Sequence, residues 1–224
     1  MLSEQFAGLK EVAMDVISAI RERRSINFFD PDKKVPSDTL RELLETANLS
    51  PSSFNLQPWE IVVVDDPERR KALRKHAFNQ EKVEAAPAVL IVVANPNAVE
   101  ENIDDHLASM VMLGYIKPEE VEKLRKSPFG LYGEKEGLRR KIFAVKNAAF
   151  YAMSLMIAAR GFGLETHPMD GFMEDAVKAE FGIPEDRIIP LLIAVGYPKP
   201  GLSLLPRNYR RELEKFVSFN NFRK

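Results

Sequence analysis

The sequence contains no cysteine. That excludes disulfides, thiolate zinc sites, cysteine-ligated iron–sulfur clusters and a cysteine nucleophile together. It fits a reducing compartment. Charge of one sign is lacking too: 32 Lys and Arg stand against 33 Asp and Glu, a net charge of −1. General binders of nucleic acid or acidic membranes carry a basic excess, so neither partner is expected. No apolar run reaches the roughly 18 residues of a membrane span. The start, MLSEQFAGLKEVAMD, lacks the basic flank and apolar stretch of a secretion signal. A cytoplasmic protein is therefore expected. Several catalytic fingerprints are missing as well. There is no Walker A sequence and no GxSxG elbow. Gly161-Phe162-Gly163 comes nearest to GxGxxG, but it leaves a helix and enters a strand, the reverse of a dinucleotide fingerprint. His76, His106 and His167 are far apart and lack HxxxH spacing, so no metal site is expected from them.

What is present is an ordinary globular balance, 45% hydrophobic and 29% charged over 224 residues. Phe6, Leu9, Ala13, Val16, Ile17 and Ile20 share one face of a first helix. Ser37 reads as the N-cap of a helix burying Leu40, Leu43, Leu44 and Ala47. Residues 60–64 and 88–94 read as buried strands, and Asp66-Pro67 opens a helix as N-cap and N1. A charged, irregular helical excursion spans about 97–137, interrupted by Pro128, Gly130, Gly133 and Gly137. A long helix then runs to about Arg160, apolar nearly all round from Asn147 to Ala159, and Gly161 and Gly163 end it. A short strand at 164–166 precedes Pro168, a helix runs from about Phe172 to Phe181, and 188–195 is the third strong strand. Helices alternate with strands around one central sheet, the pattern of an α/β or α+β fold. The tail carries Arg207, Arg210 and Arg211, then Phe216, Phe219 and Phe222; it calls for a second subunit to bury against.

Four segments are poorly explained as plain structure. Arg23-Arg24-Ser25-Ile26-Asn27 closes the first helix. Arginines there complement the helix dipole, but with the following Ser and Asn they also form an anion clamp. Ser50-Pro51-Ser52-Ser53-Phe54-Asn55-Leu56-Gln57-Pro58-Trp59 precedes a buried strand. So many amides and hydroxyls beside two aromatics suit a flat heterocycle with polar edges. Asn79-Gln80-Glu81-Lys82 starts a helix, and by itself is a helix start with a solvated lysine. Thr166-His167-Pro168-Met169-Asp170-Gly171-Phe172 turns from strand to helix, with Gly171 permitting close backbone approach.

In this order the four segments resemble the FMN-dependent nitroreductase family, over essentially the whole chain. The resemblance implies an α+β sandwich of one domain over 1–224, with a central, mostly antiparallel sheet flanked by helices. It implies an intertwined homodimer with two shared FMN sites and a dimerisation tail at about 207–224. By resemblance Arg23, Arg24 and Ser25 hold the phosphate and ribityl chain, with Arg207 and Arg210 or Arg211 completing the phosphate site. Asn27 faces the pyrimidine side of the flavin, and Asn79 and Lys82 meet that edge and help place nicotinamide. The Pro168-Met169-Asp170-Gly171 turn puts backbone amides near flavin N5. Ser52, Ser53 and Asn55 come from the other subunit, and Phe129 and Tyr132 line the substrate mouth.

The implied activity passes a hydride from NAD(P)H through FMN to a small acceptor such as a nitroaromatic or quinone. No side-chain acid or base is implied. A specialised branch (dehalogenase, flavin-destroying enzyme or enone reductase) and a non-catalytic flavin-binding module are the alternatives. One departure stands out: many members carry Lys or Arg where this chain has Asn27. Lys82 then supplies the cation near the pyrimidine edge.

Overall fold

The computed structural model describes residues 14–222. The expected helical face at Phe6, Leu9 and Ala13 lies outside these residues. Four strands form one sheet: β1 (Trp59–Val64), β2 (Ala88–Ala94), β3 (Glu165–Met169) and β4 (Ile188–Gly196). Their order is β1-β2-β4-β3, and every neighbouring pair is antiparallel. A single parallel bridge, Ser25 to Thr166, ties the chain after the first helix to β3.

The sheet is covered on both faces, so β2 is apolar and buried at all seven positions. Strand alternation splits that run between two cores. Ala88, Leu90, Val92 and Ala94 face α2 (Ser37–Ala47), α5 (Ala98–Met112) and α7 (Leu138–Gly161). Val89, Ile91 and Val93 face α3 (Pro67–His76), α4 (Glu81–Ala85) and α8 (Glu174–Phe181). The result is the expected α+β sandwich, three layers thick.

The long helix α7 is the spine of the first layer. Its small residues Ala144, Ala148, Ala152 and Ala159 let it sit close on the sheet, and Phe143, Tyr151 and Leu155 fill the gaps. Among the described residues it is the one helix long and apolar enough to cross a membrane by length and composition, its Lys141 and Lys146 notwithstanding. Here it packs into the core on one side, while Ile142, Phe150 and Met153 form an exposed stripe on the other. Arg140, 1% exposed, donates to both carboxylate oxygens of Glu100 at 2.7 and 2.9 Å. That bidentate pair fixes the first turn of α7 to the first turn of α5.

Several expected boundaries move. Val16, Ile17 and Ile20 lie on α1 (Val16–Glu22), but all three are exposed; only Ala19 is buried there. Ser37 is the first helical residue of α2, and Pro36 occupies the cap position without a side-chain cap bond. The excursion is far more regular than its composition implies. After α5 and a 3-10 turn at Pro118–Glu120, α6 (Val121–Tyr132) runs straight through Pro128 and Gly130. The break comes at Gly133, whose φ of 66° suits glycine alone. The third strand continues through Pro168 to Met169 because β3 is an edge strand, where a missing N–H is tolerated. Helix α8 starts at Glu174 rather than Phe172. The pairing Asp66-Pro67 opens α3 as expected, with the Asp66 carboxylate accepting from the Arg69 N–H at 2.9 Å.

Candidate functional site

The edge strand β3 organises the site. The chain leaves α1 at Arg23 and runs alongside β3, where the Ile26 N–H donates to the Thr166 carbonyl at 3.2 Å. This carries Arg23, Arg24, Ser25 and Asn27 along the open edge of the sheet. The tail returns across the same place. Arg24 Nη2 donates to the Leu205 carbonyl at 3.0 Å, and Arg207 Nη2 donates to the carbonyls of Arg21 and Arg23. Arg207 therefore caps the C-terminal end of α1 as well as adding charge. Arg210 bonds carbonyls of its own tail segment, and Arg211 lies over the Phe216 ring at 5.3 Å.

These guanidiniums crowd one spot. Burial lowers the Arg23 pKa, and the charges of Arg207 and Arg210 lower it further. Its Nη1 is buried and has no hydrogen-bond partner. Glu165 is the nearby counter-charge, yet it is engaged by Arg160, and burial raises its pKa despite that pairing. A buried donor without an acceptor, inside a cluster of like charges, fits an anionic group such as a phosphate.

At the other end of this edge lies an amide-rich rim with one cation, Lys82. Asn79 and Phe78 both hold left-handed backbone, φ 56° and 49°, in the turn before α4. Gln80 Nε2 donates to the Gly171 carbonyl at 2.7 Å and to the Ala77 carbonyl at 3.1 Å, locking that turn to the Asp170-Gly171 turn. A Cβ on Gly171 would sit 3.2 Å from Gln80 Nε2 and 3.6 Å from the Phe78 ring, a tight fit at a place where backbone must approach closely. Lys82 Nζ donates to Asn27 Oδ1 at 3.0 Å, and burial lowers its pKa. His167 Nδ1 lies 3.0 Å from the Ile26 carbonyl. Burial, then the charge of Lys82, lowers the His167 pKa, so the neutral ring donates there. A half-open cleft of about 590 Å³ flanks Asn27 on its outer side, where Asp30, Asp32 and Glu81 line it together with Phe28, Pro31 and Lys199. Along the β3 edge itself, a ligand with a phosphate at the arginine end and a polar-edged ring at the amide end suits the donors present.

The structure thus brings Arg23, Arg24, Ser25, Asn27, Asn79, Lys82, Pro168, Met169, Asp170, Gly171, Arg207 and Arg210 to one edge of the sheet. Ser52, Ser53 and Asn55 belong to a different neighbourhood. The Ser53 N–H donates to Asn147 Oδ1 of α7 at 3.0 Å, and Ser52 Oγ accepts from the Gln57 N–H at 2.9 Å. Phe54, Asn55 and Gln57 all have positive φ, a strained loop held by these bonds. Phe54 meets Tyr132 edge-on at 6.1 Å, and Tyr132 stacks on Phe143 at 4.4 Å. Tyr132 is therefore buried behind Phe54, whereas Phe129 is exposed near the Arg140 guanidinium. Sequence reasoning missed Gln80, Asn147, Glu165 and His167 as contributors. Gln80 and His167 lay within singled-out segments; nothing local marked Asn147 or Glu165.

An antiparallel sheet sandwiched by helices, with an arginine cluster and an amide rim on one edge, defines a cofactor-binding α+β protein. The chain belongs to the nitroreductase family, whose sequence profile matches residues 20–197. It is 36% identical over 185 residues to a protein named NADH dehydrogenase from Thermus thermophilus, covering 83% of this chain and 87% of that one. It superposes with a TM-score of 0.84 on a provisionally named nitroreductase, ydfN, from Bacillus subtilis, at 30% identity, covering 91% of this chain and 97% of that one. A provisionally named nitroreductase from Exiguobacterium sibiricum, solved in complex with FMN, gives a TM-score of 0.82 at 26% identity, covering 93% of this chain and 99% of that one.

Proposed function

We propose that this chain is an NAD(P)H-dependent FMN oxidoreductase acting on a small acceptor such as a nitroaromatic or quinone, as a cytoplasmic homodimer. The observation that carries the reading is Arg23: a half-buried guanidinium whose buried Nη1 has no partner, crowded by the charges of Arg24, Arg207 and Arg210 on the edge of the sheet that also carries the Asn27, Asn79 and Gly171 turns. Family membership and the FMN-bound relative support the same cofactor.

FMN, when bound, supplies the two-electron relay between nicotinamide and acceptor. The residues of this chain bind and orient it. Arg23 and Arg24, with Arg207 or Arg210, hold the phosphate, and Ser25 meets the ribityl chain. Asn27, Asn79 and Lys82 form the pyrimidine rim. Pro168 and Met169 carry β3 into the turn where Asp170 and Gly171 offer backbone N–H groups. Ser52, Ser53 and Asn55 serve the site of the opposite subunit, in keeping with their own-chain bonds to Asn147 and Gln57 rather than to the arginine cluster. Phe129, with Tyr132 behind Phe54, walls the acceptor entrance.

The purified protein is expected to be yellow, to release FMN on heating, and to bleach anaerobically with NADH or NADPH. Chromatography of the released cofactor tests the first point and stopped-flow absorbance the second. FAD as the main species, or no bleaching with either nucleotide, contradicts the reading.

A further inference from the structure

A second half-open cleft, of about 420 Å³, lies between the strained 54–57 loop and α5, and the function proposed above makes no use of it. Its size is ordinary for a small-molecule site. Its walls are tied together: Asn102 Nδ2 of α5 donates to the Leu56 carbonyl at 2.8 Å, and Trp59 Nε1 donates to Asn48 Oδ1 at 3.0 Å. The positive φ of Phe54, Asn55 and Gln57 is thus held on one wall of a preformed cleft. On α5, Asn102, Asp105, His106 and Ser109 are spaced to share the face toward it. Asp105, His106 and Ser109 make no side-chain hydrogen bond or ion pair with another described residue. Burial lowers the His106 pKa, so its ring is neutral at pH 7.

The lining selects a ligand by what it offers and what it lacks. No Lys or Arg lines the cleft, so nothing there pairs with a phosphate or a carboxylate. Its apolar members, Leu56 and Trp59, are both buried and give an aromatic ring little to stack on. What it does offer is four carboxamides, one hydroxyl, one neutral imidazole and one carboxylate. Amides and hydroxyls both donate and accept, and a carboxylate accepts from two hydroxyls at once. That set matches adjacent hydroxyls on a neutral sugar. A nicotinamide nucleotide carries them as the diol of its ribose. Asn55, assigned above to the flavin site of the opposite subunit, also lines this cleft, so by that reading the cleft adjoins the place where hydride is given up. We propose that this cleft binds an unphosphorylated ribose of the reducing nucleotide, with Asp105 accepting from its diol and His106 and Ser109 beside it.

This inference rests on NAD(P)H as the electron donor, and its test separates the two. Anaerobic stopped-flow reduction of the FMN holoprotein gives a Kd for each reduced nucleotide. Asp105→Ala is expected to raise the Kd for NADH about tenfold, the loss of hydrogen bonds to a charged acceptor. His106→Leu is expected to raise it in the same direction. Reoxidation of the photoreduced protein by a quinone involves no ribose, so it is expected to be far less affected; a disturbed fold would slow both half-reactions. Reduced nicotinamide mononucleotide and NADPH identify the ribose. An Asp105→Ala loss shared by the mononucleotide assigns the cleft to the nicotinamide ribose. A loss confined to NADH, with NADPH bound more weakly by the parent, assigns it to the adenosine ribose, where a 2′-phosphate would meet Asp105 and no cation. An unchanged Kd for NADH in Asp105→Ala, or equal losses in both half-reactions, overturns the proposal while the functional reading stands. Should Asp105→Ala lose FMN, Asp105→Asn decides on the same measure. A parent flavoprotein that no reduced nucleotide bleaches overturns the functional reading and this proposal with it.

Discussion

His167 carries a titration that the rest of β3 makes visible. Its ring is held below the ordinary histidine pKa by burial first, then by Lys82, with Arg23 adding to the effect. A group whose folded pKa is depressed binds fewer protons folded than unfolded in the intervening window. The stability His167 confers is therefore complete above pH 6.5 and is lost as pH falls through that value toward its folded pKa. His167→Asn places an amide nitrogen at the Nδ1 position, preserving a donor for the Ile26 carbonyl, and removes the titration. Urea unfolding between pH 7.5 and 5 is expected to show a shallower loss of stability in the variant, the difference approaching about 1.4 kcal/mol per pH unit if a full proton is involved. Parallel curves would assign the pH dependence elsewhere. Single residues of this kind were only half legible in the sequence. Arg23, Asn27 and Lys82 announced themselves by type and by their neighbours. The link from Lys82 to Asn27, 55 positions away, depends on β3 bringing two loops together, and no local pattern encodes that. Glu165 was half hidden: Arg160 is its neighbour across a five-residue turn, but Arg23 meets it only in the fold.

Elements were legible in proportion to how local their causes are. Strand β2 runs from Ala88 to Ala94 as read, because seven consecutive apolar residues closed by Asn95-Pro96 leave little choice. Asp66-Pro67 fixed the start of α3 through capping chemistry alone. Where tertiary packing competes with local signals, the reading failed. Pro128 and Gly130 look like breakers, yet α6 continues because Pro128 and Tyr132 are buried and the helix packs on α5 and α7. Val16, Ile17 and Ile20 look like a core face, yet the sandwich leaves them outside. The same contrast sets two expected energies. Asp66→Ala removes one cap bond at an exposed helix start and should cost about 1 kcal/mol. Leu155→Ala empties a fully buried site on the core face of α7 and should cost about 2–5 kcal/mol. Denaturant midpoints at constant m value measure both. Equal losses would mean that the α7 layer repacks freely, against the close fit its alanines imply.

At the scale of the whole molecule, the unusual feature is how much apolar surface a well-packed sandwich still shows. Val16, Ile17 and Ile20 of α1 and Ile142, Phe150 and Met153 of α7 are all exposed, and α1 packs directly on α7. The tail adds Leu205, Tyr209, Phe216, Phe219 and Phe222, the last 95% exposed. Exposed apolar surface of this extent fits the proposed homodimer, and a twofold pairing of identical faces is the commonest way to cover it. The loop carrying Ser52, Ser53 and Asn55 bonds Asn147 of α7 and itself rather than the arginine cluster, as the proposed contribution to the opposite subunit's site expects. Phe150→Glu tests both at once. Phe150 is exposed, so the variant monomer should fold normally. Across a twofold the substitution acts twice, removing about 1.5–3 kcal/mol of apolar burial per copy. That weakens association by about two orders of magnitude or more, before any repulsion between the paired glutamates. Sedimentation velocity is expected to show a monomer at concentrations where the parent is dimeric, and the monomer is expected to have lost its FMN. A Phe150→Glu protein that remains dimeric would move the interface off α7. A stable monomer that keeps FMN would place the whole site within one chain, and would remove Ser52, Ser53 and Asn55 from it.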